Sequence, residues 1–236
     1  MKVARFRFAV GLCELLQCEN EEGEFDYAFI GPQSVKHLIE SVGIPHTEIG
    51  ETRVDSATIG SGYLVQDGDT VAVSVYDAAL DTMEAPRFVL DCHLGRLKAH
   101  LRMLGYDCKY QNDYDDRTLL QVALDEDRVL LTRDRRLLMH KTLKRGHLVR
   151  TLEPNEQLAE VMRHYGLQRW IRPFQRCIRC NHLLEPVEKD AIVDRLEPLT
   201  KLYFNEFRIC PACKQIYWKG SHFERMQSTI GKLANS

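Results

Sequence analysis

Two cysteine pairs, Cys177-Ile-Arg-Cys180 and Cys210-Pro-Ala-Cys213, have the spacing that most directly specifies chemistry in this chain. A Cys-x-x-Cys turn aims two sulfurs at one point, and two such turns 29 residues apart supply four soft ligands for a tetrahedral zinc ion. Four thiolates close the coordination shell. Zinc held by Cys177, Cys180, Cys210 and Cys213 is therefore expected to be structural, with no catalytic water on it. Disulfides are the competing reading, and a chain expected in a reducing compartment favours metal. Cys13, Cys18, Cys92 and Cys108 are scattered and read as buried or half-buried thiols.

A second chemistry is written in carboxylates. Asp91 ends the apolar run Phe88-Val-Leu, Asp113, Asp115 and Asp116 cluster after Cys108-Lys-Tyr110, and Asp134 follows Val129-Leu-Leu-Thr132. Carboxylates gathered at one place repel one another unless a cation neutralises them, and hard oxygen ligands in small number favour Mg²⁺ or Mn²⁺. Helix capping is the alternative for any one of them, since Asp116 and Asp134 each stand where a helix begins. Arg96, Arg102, Arg133, Arg135, Arg136, Lys141, Lys144, Arg145 and Arg150 form a basic field around these acids. Phosphate neutralisation needs such a field, whereas a solvated helix face would carry the same charges without function. Downstream, Ile216-Tyr-Trp-Lys-Gly-Ser-His222-Phe223 sets aromatics beside Lys219 and His222. Those rings either stack on bases or form the last strand of the cysteine module.

The elements needed to position these residues follow from hydrophobic period and caps. Leu94, Leu97, Leu101 and Leu104 continue from Asp91 at helical spacing, so a buried strand passes straight into a helix that Gly105 closes. A second strand is expected at 108–110, a helix at 116–126, a strand at 129–132, a helix at 133–143, a strand at 147–150 and a helix at 154–165 with Pro154 at its first position. Strands separated by single helices make a parallel sheet, and ligands of such sheets lie beyond the carboxyl ends of the strands. Before this unit, a strand at 2–10, a partner at 25–30, a helix at 34–42 capped by Ser34 and Gly43, an irregular section from Pro45, and a strand at 71–76 make a small α+β module.

The chain has 236 residues, 44% hydrophobic and 28% charged, which suits a soluble protein of two or three small domains. No run of ~18 apolar residues predicts a membrane span. The alternating start, Met1-Lys-Val-Ala-Arg-Phe-Arg-Phe8, reads as a strand and not as a signal peptide, so a cytoplasmic location is expected. The net charge of −2 conceals an asymmetry. Residues 1–85 carry 5 Lys/Arg against 15 Asp/Glu, and residues 86–236 carry 27 against 19, giving −10 and +8. Only the second part suits a polyanion; the acidic part either screens that surface or serves solubility.

Asp91 with its Leu-Gly-Arg-Leu run, Leu101-Arg-Met-Leu-Gly-Tyr-Asp107, Leu131-Thr-Arg-Asp134, both cysteine pairs and Tyr217-Trp-Lys-Gly-Ser-His222, in this order, resemble the Mut-seven C-terminal RNase family. The match spans about residues 87–227. The resemblance implies a PIN-like α/β nuclease core with flanking helices and a zinc ribbon, in bacterial members often preceded by a ubiquitin-like domain. Residues 1–78 resemble the ubiquitin-like β-grasp fold, especially its sulfur-carrier branch, but run on past Asp77 where a carrier would end in Gly-Gly. A docking or regulatory module is therefore expected there, not a carrier. The implied domains are 1–80, 86–168 and 169–236, joined at 79–86.

The activity implied is metal-dependent hydrolysis of RNA, with zinc structural and Mg²⁺ or Mn²⁺ catalytic. By resemblance Asp91 and Asp134 are metal ligands, and the middle acid is Asp113, Asp115 or Asp116, with Asp116 favoured and Asp115 second. Arg135 and Arg136 stand where such nucleases usually carry a fourth acid. Arg96, Arg133, Arg136, Lys219 and His222 are the expected RNA contacts. The partners expected are RNA and a protein docking on the N-terminal module. An RNA- or ribosome-binding adaptor with weak catalysis is the alternative function.

Overall fold

The computed structural model describes residues 1–16, 23–77, 84–220 and 223. In chain order the elements are β1 (Lys2–Phe8), α1 (Val10–Cys13), β2 (Glu24–Phe29), α2 (Val35–Ser41), β3 (Ile49–Val54), β4 (Ala57–Ile59), β5 (Thr70–Val75), β6 (Phe88–Leu90), α3 (Gly95–Met103), β7 (Cys108–Lys109) and α4 (Asp116–Asp125). There follow β8 (Val129–Thr132), α5 (Arg135–Leu138), β9 (Gly146–Leu148), α6 (Pro154–His164), β10 (Glu185–Val187), α7 (Pro198–Tyr203), β11 (Phe207–Ile209) and β12 (Ile216–Trp218). The chain is a mixed α/β protein that forms two compact units, Met1–Asp81 with Asp115–Leu148, and Thr82–Tyr114 with Val149–Ser236. The linker expected at 79–86 lies partly outside the described residues, as does Cys18.

In the first unit a five-stranded sheet has the order β2-β1-β5-β3-β4, with β1 antiparallel to β2 and parallel to β5. Alternation in Lys2-Val-Ala-Arg-Phe-Arg-Phe8 buries Ala4, Phe6 and Phe8, and α2 buries Val35, Leu38 and Ile39. Ser34 caps α2 by accepting from the His37 amide at 3.2 Å, and Gly43 takes φ +99 beyond its end. This is the β-grasp order expected for residues 1–78.

The section after Pro45 is more regular than its sequence suggests. β3 and β4 form a hairpin, with Val54 paired to Ala57 across Asp55 and Ser56. Both turn residues have positive φ, at 47° and 77°. Paired positive φ is the signature of the I′ hairpin turn, which sequence reading expects at Asn-Gly or Asp-Gly.

The same unit contains β8 and β9, parallel in the register Leu130↔Gly146 to Thr132↔Leu148, together with α4 and α5. All of Val129, Leu130, Leu131 and Thr132 are buried, as befits a parallel strand covered on both faces. The helix expected at 133–143 is only the single turn Arg135–Leu138. The chain leaves it so that Leu143 can turn back into the core, through the Leu143 amide to His140 carbonyl bond of 2.9 Å.

In the second unit β6 and β7 are parallel, pairing Phe88 with Cys108 and Val89 with Lys109. Leu94, Leu97, Leu101 and Leu104 are fully buried, which bears out the helical spacing behind Asp91. Gly105 ends α3 at φ +99, and a Cβ there would collide with the carbonyl of Arg172. Helix α6 packs beside α3, and an antiparallel ribbon, β10-β11-β12, carries the second cysteine pair after β11.

Candidate active site and metal centre

The cysteine centre is built by two tight turns. The Cys180 amide donates to Cys177 Sγ and the Cys213 amide to Cys210 Sγ, each at 3.4 Å, which folds each Cys-x-x-Cys into a knuckle. Across the knuckles Cys177 Sγ lies 3.5 Å from Cys213 Sγ, and Cys180 Sγ lies 3.3 Å from Cys210 Sγ; all four sulfurs fall within 4.8 Å of one another. A tetrahedron with zinc–sulfur bonds of ~2.3 Å has sulfur–sulfur edges of roughly 3.8 Å. The observed set matches that size and donor chemistry, so Cys177, Cys180, Cys210 and Cys213 could hold zinc.

The surroundings of this centre favour anionic sulfur. Burial raises the Cys177 thiol, but hydrogen bonds from Tyr217 Oη at 3.1 Å and from the Cys180 amide outweigh it and hold the pKa at about 6. Burial and the neighbouring sulfurs push Cys180 up to about 12 and raise Cys213 as well. One thiolate among reluctant neighbours is a site at which a divalent cation would displace the remaining protons. Tyr217 also accepts from the Ile178 amide at 3.1 Å, so its hydroxyl braces the knuckle. Trp218 packs beside Phe204 and Phe207 in the ribbon core. Tyr217 and Trp218 are thus half-buried members of β12, the last strand of the ribbon.

Arg102, read from sequence as part of the basic field, is instead buried at 3% exposure. Its Nε and Nη2 donate to the Cys108 carbonyl at 2.9 and 2.6 Å, and its Nη1 to the carbonyls of Ile178 and Arg179 at 3.1 and 2.8 Å. Asn181 adds to the joint, its side-chain oxygen accepting from the Cys108 amide at 3.1 Å and its amide nitrogen donating to Asp107 at 2.8 Å. The first knuckle is therefore fastened to α3 and β7 by a guanidinium.

The acids occupy strand and helix ends. In the second unit Asp91, 8% exposed, directly follows β6, and its carbonyl accepts from the Leu94 amide at 2.9 Å. Its carboxylate accepts from the Cys92 thiol, a bond that together with burial raises that thiol above its ordinary value. Asp113 is exposed beyond β7. In the first unit Asp115 caps α4, accepting from the Thr118 amide at 2.7 Å, and Asp116 is the exposed first residue of that helix. Asp134 caps α5 through one oxygen, Oδ1, which accepts from the amides of Arg136 at 2.8 Å and Leu137 at 3.4 Å. Asp115 and Asp134 thus serve as caps, a role the sequence allowed for Asp134 and Asp116.

Among the expected RNA contacts, Arg96, Arg133 and Arg136 are exposed. Lys219 is exposed and lies 3.2 Å from Glu206, and His222 falls outside the described residues. Other members of the basic field are engaged: Arg135 donates to the Leu15 carbonyl at 2.7 Å and Arg145 to the Asp127 carbonyl at 2.7 Å.

Residues 86–230 match the model of the Mut7-C RNAse domain, and residues 1–81 match that of the Mut7-C ubiquitin domain. The chain belongs to the Mut7-C RNAse family. No curated protein matches it. Two crystal structures of small archaeal modifier protein 1 from Haloferax volcanii are similar at 12% and 13% identity, with TM-scores of 0.25 and 0.24. They cover 31% and 30% of this chain and 97% and 91% of their own. The match of residues 86–230 to an RNase domain points to nuclease function, and no described helix is long and apolar enough to cross a membrane.

Proposed function

We propose that this Mut7-C protein is a metal-dependent ribonuclease that hydrolyses RNA phosphodiester bonds with Asp91, Asp116 and Asp134 as ligands of Mg²⁺ or Mn²⁺, and Asp115 beside them. The match of residues 86–230 to an RNase family carries this reading. It is supported by the position of Asp91 after β6 and of Asp134 after β8, both beyond the carboxyl ends of parallel strands, where such sheets take their ligands. Asp134 uses Oδ1 for its caps, which leaves Oδ2 outside those bonds and able to face a cation.

When bound, a divalent cation would supply a water of lowered pKa and a positive charge to offset the negative charge developing on the phosphoryl and leaving oxygens. The chain's own residues do the rest. Arg96, Arg133 and Arg136 hold phosphates on either side of the scissile bond, with Lys219 and His222 further along the strand. Burial of Asp91 keeps its charge unscreened. Cys177, Cys180, Cys210 and Cys213 would hold a structural zinc, and Arg102 ties the first of these knuckles to α3 through the Ile178 and Arg179 carbonyls. The protein acts in the cytoplasm through domains 1–80, 86–168 and 169–236, and its ubiquitin-like module docks a protein partner.

A second reading, an RNA- or ribosome-binding adaptor, is favoured by one observation: Asp115 and Asp134 are already satisfied as helix caps, and arginines fill the next two positions after Asp134. Cleavage of single-stranded RNA in Mg²⁺ or Mn²⁺ separates the two. The double variant Asp91→Asn, Asp134→Asn is expected to lose about 100-fold or more in rate while keeping its circular dichroism. Wild-type rates in that variant would end the nuclease assignment, and RNA binding without cleavage by the unaltered protein would establish the adaptor.

A further inference from the structure

The turn after β6 places three different metal-binding side chains in sequence: the Asp91 carboxylate, the Cys92 thiol and the His93 imidazole. One ligand atom from each lies within 4.8 Å of the other two. The turn that presents them is pinned from both sides. The Leu94 amide bonds back to the Asp91 carbonyl at 2.9 Å, and Tyr110 Oη donates to the Cys92 carbonyl at 2.8 Å, with Lys98 lying 4.9 Å from the centre of the Tyr110 ring. Gly95 fits beneath that tyrosine, since a Cβ there would come within 2.8 Å of its hydroxyl. Burial decreases outward along the turn, from a buried Asp91 through a half-buried Cys92 to an exposed His93, so the three open toward solvent.

A nuclease acting only with Mg²⁺ needs oxygen ligands alone, and a thiol with an imidazole adds nothing for so hard an ion. One oxygen, one nitrogen and one sulfur donor instead suit a borderline-soft cation such as Zn²⁺ or Co²⁺. Three protein ligands leave a fourth position open, unlike the closed four-sulfur ribbon.

We propose that Asp91, Cys92 and His93 form a second transition-metal site, open to solvent, which binds Zn²⁺ in preference to Mg²⁺. The inference rests on the nuclease reading in one respect, that Asp91 is a metal ligand there too. Binding forms one bond to each side chain and releases the Cys92 proton to buffer, while Asp91 exchanges the thiol for the metal. Free zinc then occupies Asp91 and inhibits Mg²⁺-supported cleavage.

Cobalt reports the site directly, because a cobalt–thiolate bond absorbs in the near ultraviolet. Full-length protein carrying one equivalent of zinc in the ribbon is titrated with Co²⁺, beside Cys92→Ser and His93→Ala. Wild type is expected to bind one further equivalent with a thiolate band. Cys92→Ser should abolish the band, and His93→Ala should weaken binding about tenfold or more. Cleavage by both variants in Mg²⁺ should resist zinc concentrations that inhibit wild type. No further equivalent, or an unchanged band in Cys92→Ser, overturns the site. A band in a protein that cleaves no RNA removes the nuclease reading and leaves the site standing; cleavage without a band does the reverse.

Discussion

Arg102 shows how far a single side chain can depart from what its sequence context suggests. On α3 it sits beside Leu101 in a segment with Arg96 and Lys98, and a lone sequence gives no reason to separate it from those surface cations. Its four bonds go to carbonyls of Cys108, Ile178 and Arg179, and the last two lie 76 and 77 residues away. Such long-range pairing is invisible to periodicity. The gathering of the four cysteines, by contrast, was legible from spacing alone, because a knuckle is a local turn. Substituting Arg102→Gln removes a buried cation and leaves at least one of its three carbonyls without that donor. A loss of roughly 2–4 kcal/mol in stability is expected, together with faster transfer of zinc to a chromogenic chelator. Chemical denaturation and the chelator assay measure the two separately. Unchanged zinc release would show that Arg102 serves only the helix and not the knuckle.

Among elements, the pairing of α3 with α6 contains a titratable weak point. His100 lies on α3, its Nδ1 is buried without a hydrogen-bond partner among the described residues, and its ring bonds to the Pro154 carbonyl at the start of α6. Burial lowers its pKa below the ordinary value of 6.5, the Pro154 carbonyl opposes that shift, and Arg96 adds to it. Between its folded and unfolded pKa values the unfolded chain binds more protons, so stability falls as pH falls. The contribution is complete above pH ~6.5 and is lost on descent through the folded pKa. Denaturation midpoints of wild type should therefore decline from pH 7 to 5, and His100→Gln should flatten that slope; an equal slope in both would remove His100 as its cause. The helices themselves were readable from Leu94, Leu97, Leu101 and Leu104 and from Pro154. What the sequence hid were elements set by tertiary demand. The β3–β4 hairpin turns on Asp55-Ser56 instead of a glycine, and α5 stops after one turn so that Leu143 can be buried.

For the whole molecule, the sequence divides the chain by charge and by family motif near residue 81, yet compactness groups residues 1–81 with 115–148. The reason lies in buried contacts that no motif announces. Glu48, 4% exposed, accepts from the Leu148 amide at 2.6 Å and from His147 Nδ1 at 3.2 Å, so a carboxylate of the ubiquitin-like segment completes strand β9. His46 adds a bond of 2.8 Å to the Leu143 carbonyl, with its other nitrogen on Glu40 at 2.7 Å, and Arg135 reaches back to Leu15. A module that only docked partners could be deleted at little cost. These contacts predict otherwise. Glu48→Ala removes the acceptor of the buried Leu148 amide and a partner of the buried His147 imidazole, and a loss of about 2–4 kcal/mol is expected. Removing residues 1–81 takes away the same acceptor together with the cover over Leu143 and Leu148, so it should lower the urea midpoint by more than Glu48→Ala does. Glu48→Gln, which retains an acceptor for the Leu148 amide, should fall between wild type and Glu48→Ala. Hydrogen exchange at Leu148 reads the local effect, and its protection should drop in Glu48→Ala. A truncated chain as stable as the full one, with Leu148 still protected, would return residues 1–81 to the status of a separable docking module.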